Sequence, residues 1–141
     1  MNSTIRNILA AVAGLAIGSI VNMSLINISS TIIPPPVGAD VTTMEGLLEA
    51  MHLFEPKHFI MPFLAHALGT LAGAMIASLI ATGHRLKFAL GIGGFFLIGG
   101  ITNAFLLPSP TWFIAVDIIL AYLPMGWLGW KLSEVLIIKG R

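Results

Sequence analysis

HFIMPFLAHALGTLAGAMIASLIA, residues 58–81, is an apolar run with one ionisable side chain, His66, well inside it. As an α-helix it measures about 36 Å at the usual rise, enough to cross the roughly 30 Å hydrocarbon core of a bilayer. Three further runs have the same character, over about residues 5–28, 86–107 and 111–132, and the only ionisable group deep inside any of them is Asp117. Strands with open edges cannot satisfy their backbone groups in lipid, and the short alternating segments of a barrel are missing, so all four runs read as helices. The expected fold is an all-α polytopic membrane protein, one four-helix transmembrane domain over residues 1–141.

Composition agrees. The chain is 57% hydrophobic and only 9% charged, with a mean hydropathy of +0.96, too little polar surface for a water-soluble globule. In 141 residues four spans leave no room for a separate catalytic domain. A net charge of +1 from seven Lys and Arg offers no basic field for phosphates, which speaks against nucleic acid as a partner. With no cysteine there is no disulfide, no thiolate metal site and no covalent haem attachment, and no cofactor is named by any motif.

The start, MNSTIRNILAAVAGLAIGSIV, has one Arg6 before its apolar run, as a signal peptide would. No clear A-x-A site follows, and an uncleaved first span is the preferred reading. Arg6, Arg85, Lys87, Lys131, Lys139 and Arg141 fall in flanks on one side of a four-span chain. The positive-inside rule makes that side cytoplasmic, with both termini inside and a plasma or inner membrane as the setting.

On the outer side, Pro34-Pro35-Pro36 leads into a long loop carrying Asp40, Glu45, Glu49 and Glu55 against Lys57. Thr42-Thr43-Met44-Glu45 offers a capping box for a short amphipathic helix over about 43–54. Its apolar side would be Met44, Leu47, Leu48, Met51 and Phe54, its polar side Glu45, Glu49 and His52, and Glu55-Pro56 should end it.

Small residues recur at helical spacing: Gly14 and Gly18; Ala65, Gly69, Gly73 and Ala77; Gly91, Gly94, Gly99 and Gly100. In lipid such rows mark close helix contacts within a chain or between copies, so a homo-oligomer or a larger membrane complex is expected. Residues 17–25 and 98–106 match at Ile, Gly, Ile, Asn and Leu, a faint repeat that hairpin duplication or apolar composition alone can produce. Pro62 sits harmlessly in the first turns of its span, whereas Pro124 should kink the fourth around residues 123–126.

Depth singles out a site. Asn22, His66, Asn103 and Asp117 each lie four to eight residues inside the outer end of their span, roughly 6 to 12 Å down. One polar side chain from every helix thus reaches a common layer, with Thr70 one turn below His66 and Tyr122 one turn below Asp117. Asp117 can hold a proton or cation, His66 can exchange protons or ligate, and the two Asn can orient a solute. A dry His–Asp pair serving only as interhelical glue fits the same residues.

Glu49 and His52 form one E-x-x-H, with His58 nearby, short of the two motifs that a carboxylate-bridged metal site uses. Gly99-Gly100-Ile101-Thr102-Asn103 with Asp117 resembles part of the lipoprotein signal peptidase pattern. The second aspartate of that pattern is missing, so no aspartyl dyad can be assembled. The leading functional expectation is binding or transport of a small solute, cation or proton in an outward-facing polar pocket. An accessory subunit of a membrane complex comes second. A membrane enzyme is third, for want of a nucleophile or oxyanion device.

Overall fold

The computed structural model describes residues 1–140, all helix and connection, with no strand among them. Four helical units are long and apolar enough to cross a membrane: Ser3–Ile32, Pro56–Ile80, Arg85–Leu106 and Thr111–Lys139. We label the helices α1 (Ser3–Ile32), α2 (Met44–Ala50), α3 (Ile60–Ile80), α4 (Arg85–Leu106), α5 (Thr111–Leu120) and α6 (Leu123–Lys139). Two 3₁₀ turns, Met51–Leu53 and Pro56–Phe59, flank the start of α3.

Helix α1 starts where Asn2 Oδ1 accepts from the Thr4 amide at 2.9 Å, and it runs past the expected end at residue 28 to Ile32. Nothing breaks it before Pro34, and the stop falls where Ile33, the residue before that proline, turns extended. At 30 residues it is about 45 Å long, more than the roughly 30 Å hydrocarbon core of a bilayer.

The loop helix is shorter than expected and capped differently. Thr43 Oγ1 accepts from the Gly46 amide at 3.0 Å, so the third helical position is Gly46 rather than Glu45, and the anticipated capping box does not form. Thr42 instead donates through its amide and hydroxyl to Asp40 Oδ1, bonds that hold the Asp40 carboxyl below its ordinary range. Regular helix stops at Ala50. Of the anticipated apolar side, Met51 is buried and Leu47 and Phe54 pack beside it against Phe59 and Phe113, while Met44 and Leu48 stay exposed.

Helix α3 is the hub. Gly14 and Gly18 of α1 meet Gly73 and Gly69 of α3 so closely that a Cβ on Gly73 would lie 2.5 Å from the Gly14 carbonyl oxygen. Gly129 of α6 lies as tightly against the Leu71 carbonyl and Ala74, and Gly126 against the Ala89 carbonyl of α4. Small residues let these backbones approach, the usual means of association where water exerts no hydrophobic drive. Ser78 and Ser133 add a buried hydroxyl pair at 2.7 Å across α3 and α6. Gly91, Gly94 and Gly99 have no neighbour within reach of a Cβ, so that part of the α4 glycine row is not used inside the chain.

Chain reversals collect at two ends. At the terminal end, Gly83 and His84 take left-handed backbone (φ 75° and 47°) to turn α3 into α4. Arg6 Nε donates to the Ile80 carbonyl at 2.6 Å and Asn7 Oδ1 accepts from the Thr82 amide at 2.8 Å, tying the start of α1 to this turn. Arg85 and Glu134 pair nearby at 3.4 Å. At the opposite end, here the loop end, lie the 33–59 connection and the short 107–110 turn.

The last span is interrupted rather than kinked. Pro124 has no amide to give to the Leu120 carbonyl, and helix α5 ends at Leu120 before α6 begins at Leu123. Between them Tyr122 adopts φ −119° and ψ −81°, outside helical geometry.

Candidate functional site

The interruption in the fourth span places the central contact. Because the chain leaves the helical path at Ala121–Tyr122, the Tyr122 phenol reaches back to donate to Asp117 Oδ2 at 2.8 Å. The other oxygen, Oδ1, meets His66 Nδ1 of α3, also at 2.8 Å. The His66 and Tyr122 rings lie stacked with centroids 5.9 Å apart. Asp117 and Tyr122 are buried, and His66 is nearly so.

With Asp117 ionised, the carboxylate can only accept, which puts a proton on His66 Nδ1 and leaves Nε2 as the ring nitrogen without a protein partner. Nε2 has no protein partner and is not sealed from the surroundings. Both oxygens of Asp117 are engaged, one by His66 and one by Tyr122, and the contact orients the imidazole.

Gly100 makes room for this arrangement. A Cβ there would collide with the Tyr122 ring and hydroxyl, so the phenol lies directly over the α4 backbone. Gly93 similarly accommodates the Tyr122 carbonyl.

His66 and Asp117 line a cavity of about 400 Å³ bounded by the loop and the four spans. Asn22, Asn103 and Gly100 join them on its walls, so each of the four spans supplies one polar residue of the expected layer. A smaller recess of about 110 Å³, bounded by Asn22, His66, Thr70, Asn103 and Tyr122, continues from it. All six side chains singled out from the sequence therefore border one or both of these two cavities, which share Asn22, His66, Gly100 and Asn103 as wall.

Their roles differ. Asn22 Oδ1 is buried without a hydrogen-bond partner, a state that costs about 1–3 kcal/mol. Asn103 is exposed at the rim. Thr70 spends its hydroxyl proton on the His66 backbone carbonyl at 2.8 Å and so braces α3 rather than offering a donor.

The remaining wall is apolar and was not legible as a site. Met44, Leu47, Met51 and Phe54 roof the cavity from the loop, and Phe59 and Phe113 close one side. Met51, Phe59 and Phe113 form one packed cluster, which is what holds the loop over the bundle. The amphipathic pattern of 43–54 fits a helix on a membrane surface or on top of the bundle; the contact of Met51 with Phe59 and Phe113 places it on the bundle.

The suggested metal set is not gathered. Among the described residues no three His, Asp or Glu side chains converge on a point, and His58 Nδ1 accepts the Glu55 amide at 2.8 Å to cap the turn before α3. His58 borders a separate cavity of about 460 Å³ between α1 and the loop, while Glu49 and His52 line neither space. No family model, characterised protein or solved structure matches this chain.

Proposed function

We propose that this chain is a multi-pass membrane protein that binds a small, largely apolar solute bearing one hydrogen-bonding group, with His66 Nε2 as its anchor. The observation that carries this reading is an imidazole locked by Asp117 and Tyr122 on the wall of a cavity of about 400 Å³. Such a volume lies in the range of small-molecule sites, which are mostly apolar with a few well-placed polar groups. By the distribution of Lys and Arg, the cavity faces the non-cytoplasmic side and both termini face the cytoplasm.

Binding is favoured over conduction by the closed terminal half. There Ala74, Ala77, Ala89 and Ile92 are buried against one another, and Leu15, Phe88 and Trp130 complete the seal. A cation path would need polar lining along its length, and beyond Asn22, His66, Asn103, Ser109 and Asp117 the walls of the main cavity are apolar.

Photolabelling tests the reading. Protein in lipid nanodiscs is irradiated with a six-carbon alcohol carrying a diazirine, and adducts are mapped by mass spectrometry. Labelling should concentrate on Met51 and Phe113 and fall at least tenfold in His66→Ala. Adducts spread evenly over lipid-facing residues, and unchanged by H66A, would refute the site.

A further inference from the structure

The cavity draws its wall from both α1 and α4. Helices α1 and α4 touch at Gly14 against Ile92 and at Gly18 against Phe96, both toward the terminal end. Beyond these contacts, Asn22, Met23 and Ile26 of α1 and Gly100, Asn103, Ala104 and Leu107 of α4 line the same cavity.

Two of these residues are largely exposed while also lining the cavity: Met23, at 52%, and Asn103. Large exposure on a cavity wall fits the edge of an opening. The surface around that opening is apolar, with Ile20, Ile101 and Phe105 exposed beside it, which is a surface for lipid tails and not for water. Toward the aqueous side, Met44, Leu47, Met51 and Phe54 form the roof.

The lining also states what can enter. Neither the cavity nor its recess has a Lys or Arg on its wall, and one carboxylate is present, so a phosphate or carboxylate head would meet no counter-charge. A neutral head can bond to Nε2 of His66 and to the amides of Asn22 and Asn103, each of which offers both donor and acceptor.

We infer that the gap between α1 and α4 is a lateral window through which an uncharged, single-tailed amphiphile with a hydroxyl or carbonyl head enters from the bilayer. The head reaches His66, and the tail passes between Met23 and Ala104 into the lipid. This rests on the cavity being a binding site and adds the route and the ligand class.

The test uses a sixteen-carbon alcohol with a diazirine near its hydroxyl, added to the protein in vesicles of neutral phospholipid, beside the six-carbon alcohol probe. The long alcohol should label Met51 and Phe113, and the same chain ending in a phosphate monoester should label them at least tenfold less. Met23→Trp plugs the window and should cut long-chain labelling at least tenfold, while the short probe, which fits wholly inside the cavity, loses much less. Ala104→Trp, on the opposite edge, serves as the second plug should Met23→Trp fail to fold.

Long-chain labelling that is unchanged by either plug overturns the window, as does equal loss of both probes, because only the long chain must keep its tail in the gap. Labelling by the short probe alone retains the binding site and removes the lateral route. Labelling by neither removes both. Strong labelling by the phosphate monoester overturns the ligand class.

Discussion

Removing the Asp117 carboxylate tests the centre of the site in the most direct way. Asp117 accepts two bonds at 2.8 Å, from His66 and Tyr122, and it is buried. Interhelical hydrogen bonds in membranes are worth about 0.6 kcal/mol on average and about 1.7 at most, because the unfolded chain in lipid also finds partners. Two bonds to one carboxylate, each charge-assisted, belong at the upper end of that range. Asp117→Ala deletes both and leaves two donors without acceptors, so about 2–4 kcal/mol is expected, a roughly 30- to 900-fold change in the unfolding equilibrium. In Asp117→Asn the amide can still accept from His66 and donate to the Tyr122 oxygen, and about 1–2 kcal/mol is expected. The assay is reversible unfolding in mixed micelles by SDS titration, with Tyr122→Phe and the double variant D117A/Y122F completing a cycle. The Tyr122–Asp117 coupling should come out near 1 kcal/mol. A D117A protein within about 0.5 kcal/mol of wild type, or a cycle with no coupling, would show that the carboxylate is not held as described.

Gly100→Ala should push the Tyr122 phenol off Asp117 and destabilise by about 1–3 kcal/mol, and its effect should shrink in a Y122A background, which has neither the ring nor the hydroxyl to collide with; equal losses in both backgrounds would refute the contact. Gly73→Leu should separate α1 from α3, because a side chain there meets the Gly14 carbonyl; the expected outcome is loss of a monodisperse species on size exclusion, and a wild-type profile contradicts the packing. The chain has no cysteine, so single cysteines report sidedness cleanly: Val37→Cys should react with an impermeant maleimide from the non-cytoplasmic side and Lys87→Cys only from the cytoplasmic side. Reaction of both from one side would overturn the four-span arrangement.

Much of this was readable from local chemistry. A span needs only length and apolarity, both properties of a sequence window, and the four helical units fall within a few residues of the expected runs except where α1 continues to Ile32 and the last span to Lys139. Depth along a helix follows from residue count, so Asn22, His66, Asn103 and Asp117 were placed in one layer before any rotation was known. Rotation is a different quantity. The glycines of α4 show why: Gly100 and Gly93 pack against Tyr122, while Gly91, Gly94 and Gly99 on the same helix touch nothing. The faint repeat ran into the same limit, since Gly18 is pressed against α3 and its counterpart Gly99 is not, although Asn22 and Asn103 border one cavity.

The amino-acid order alone decided that there are four apolar rods, where each begins, and at what height its polar group sits, because rise per residue and the cost of polar groups in lipid are local properties. Only the tertiary structure decided that Asp117 faces His66, that a break before Pro124 swings Tyr122 onto the same carboxylate, and that loop residues 44–54 cover the cavity. Those outcomes depend on which side of each helix turns inward, which is fixed by glycine-lined approach and apolar contact between segments distant in the chain.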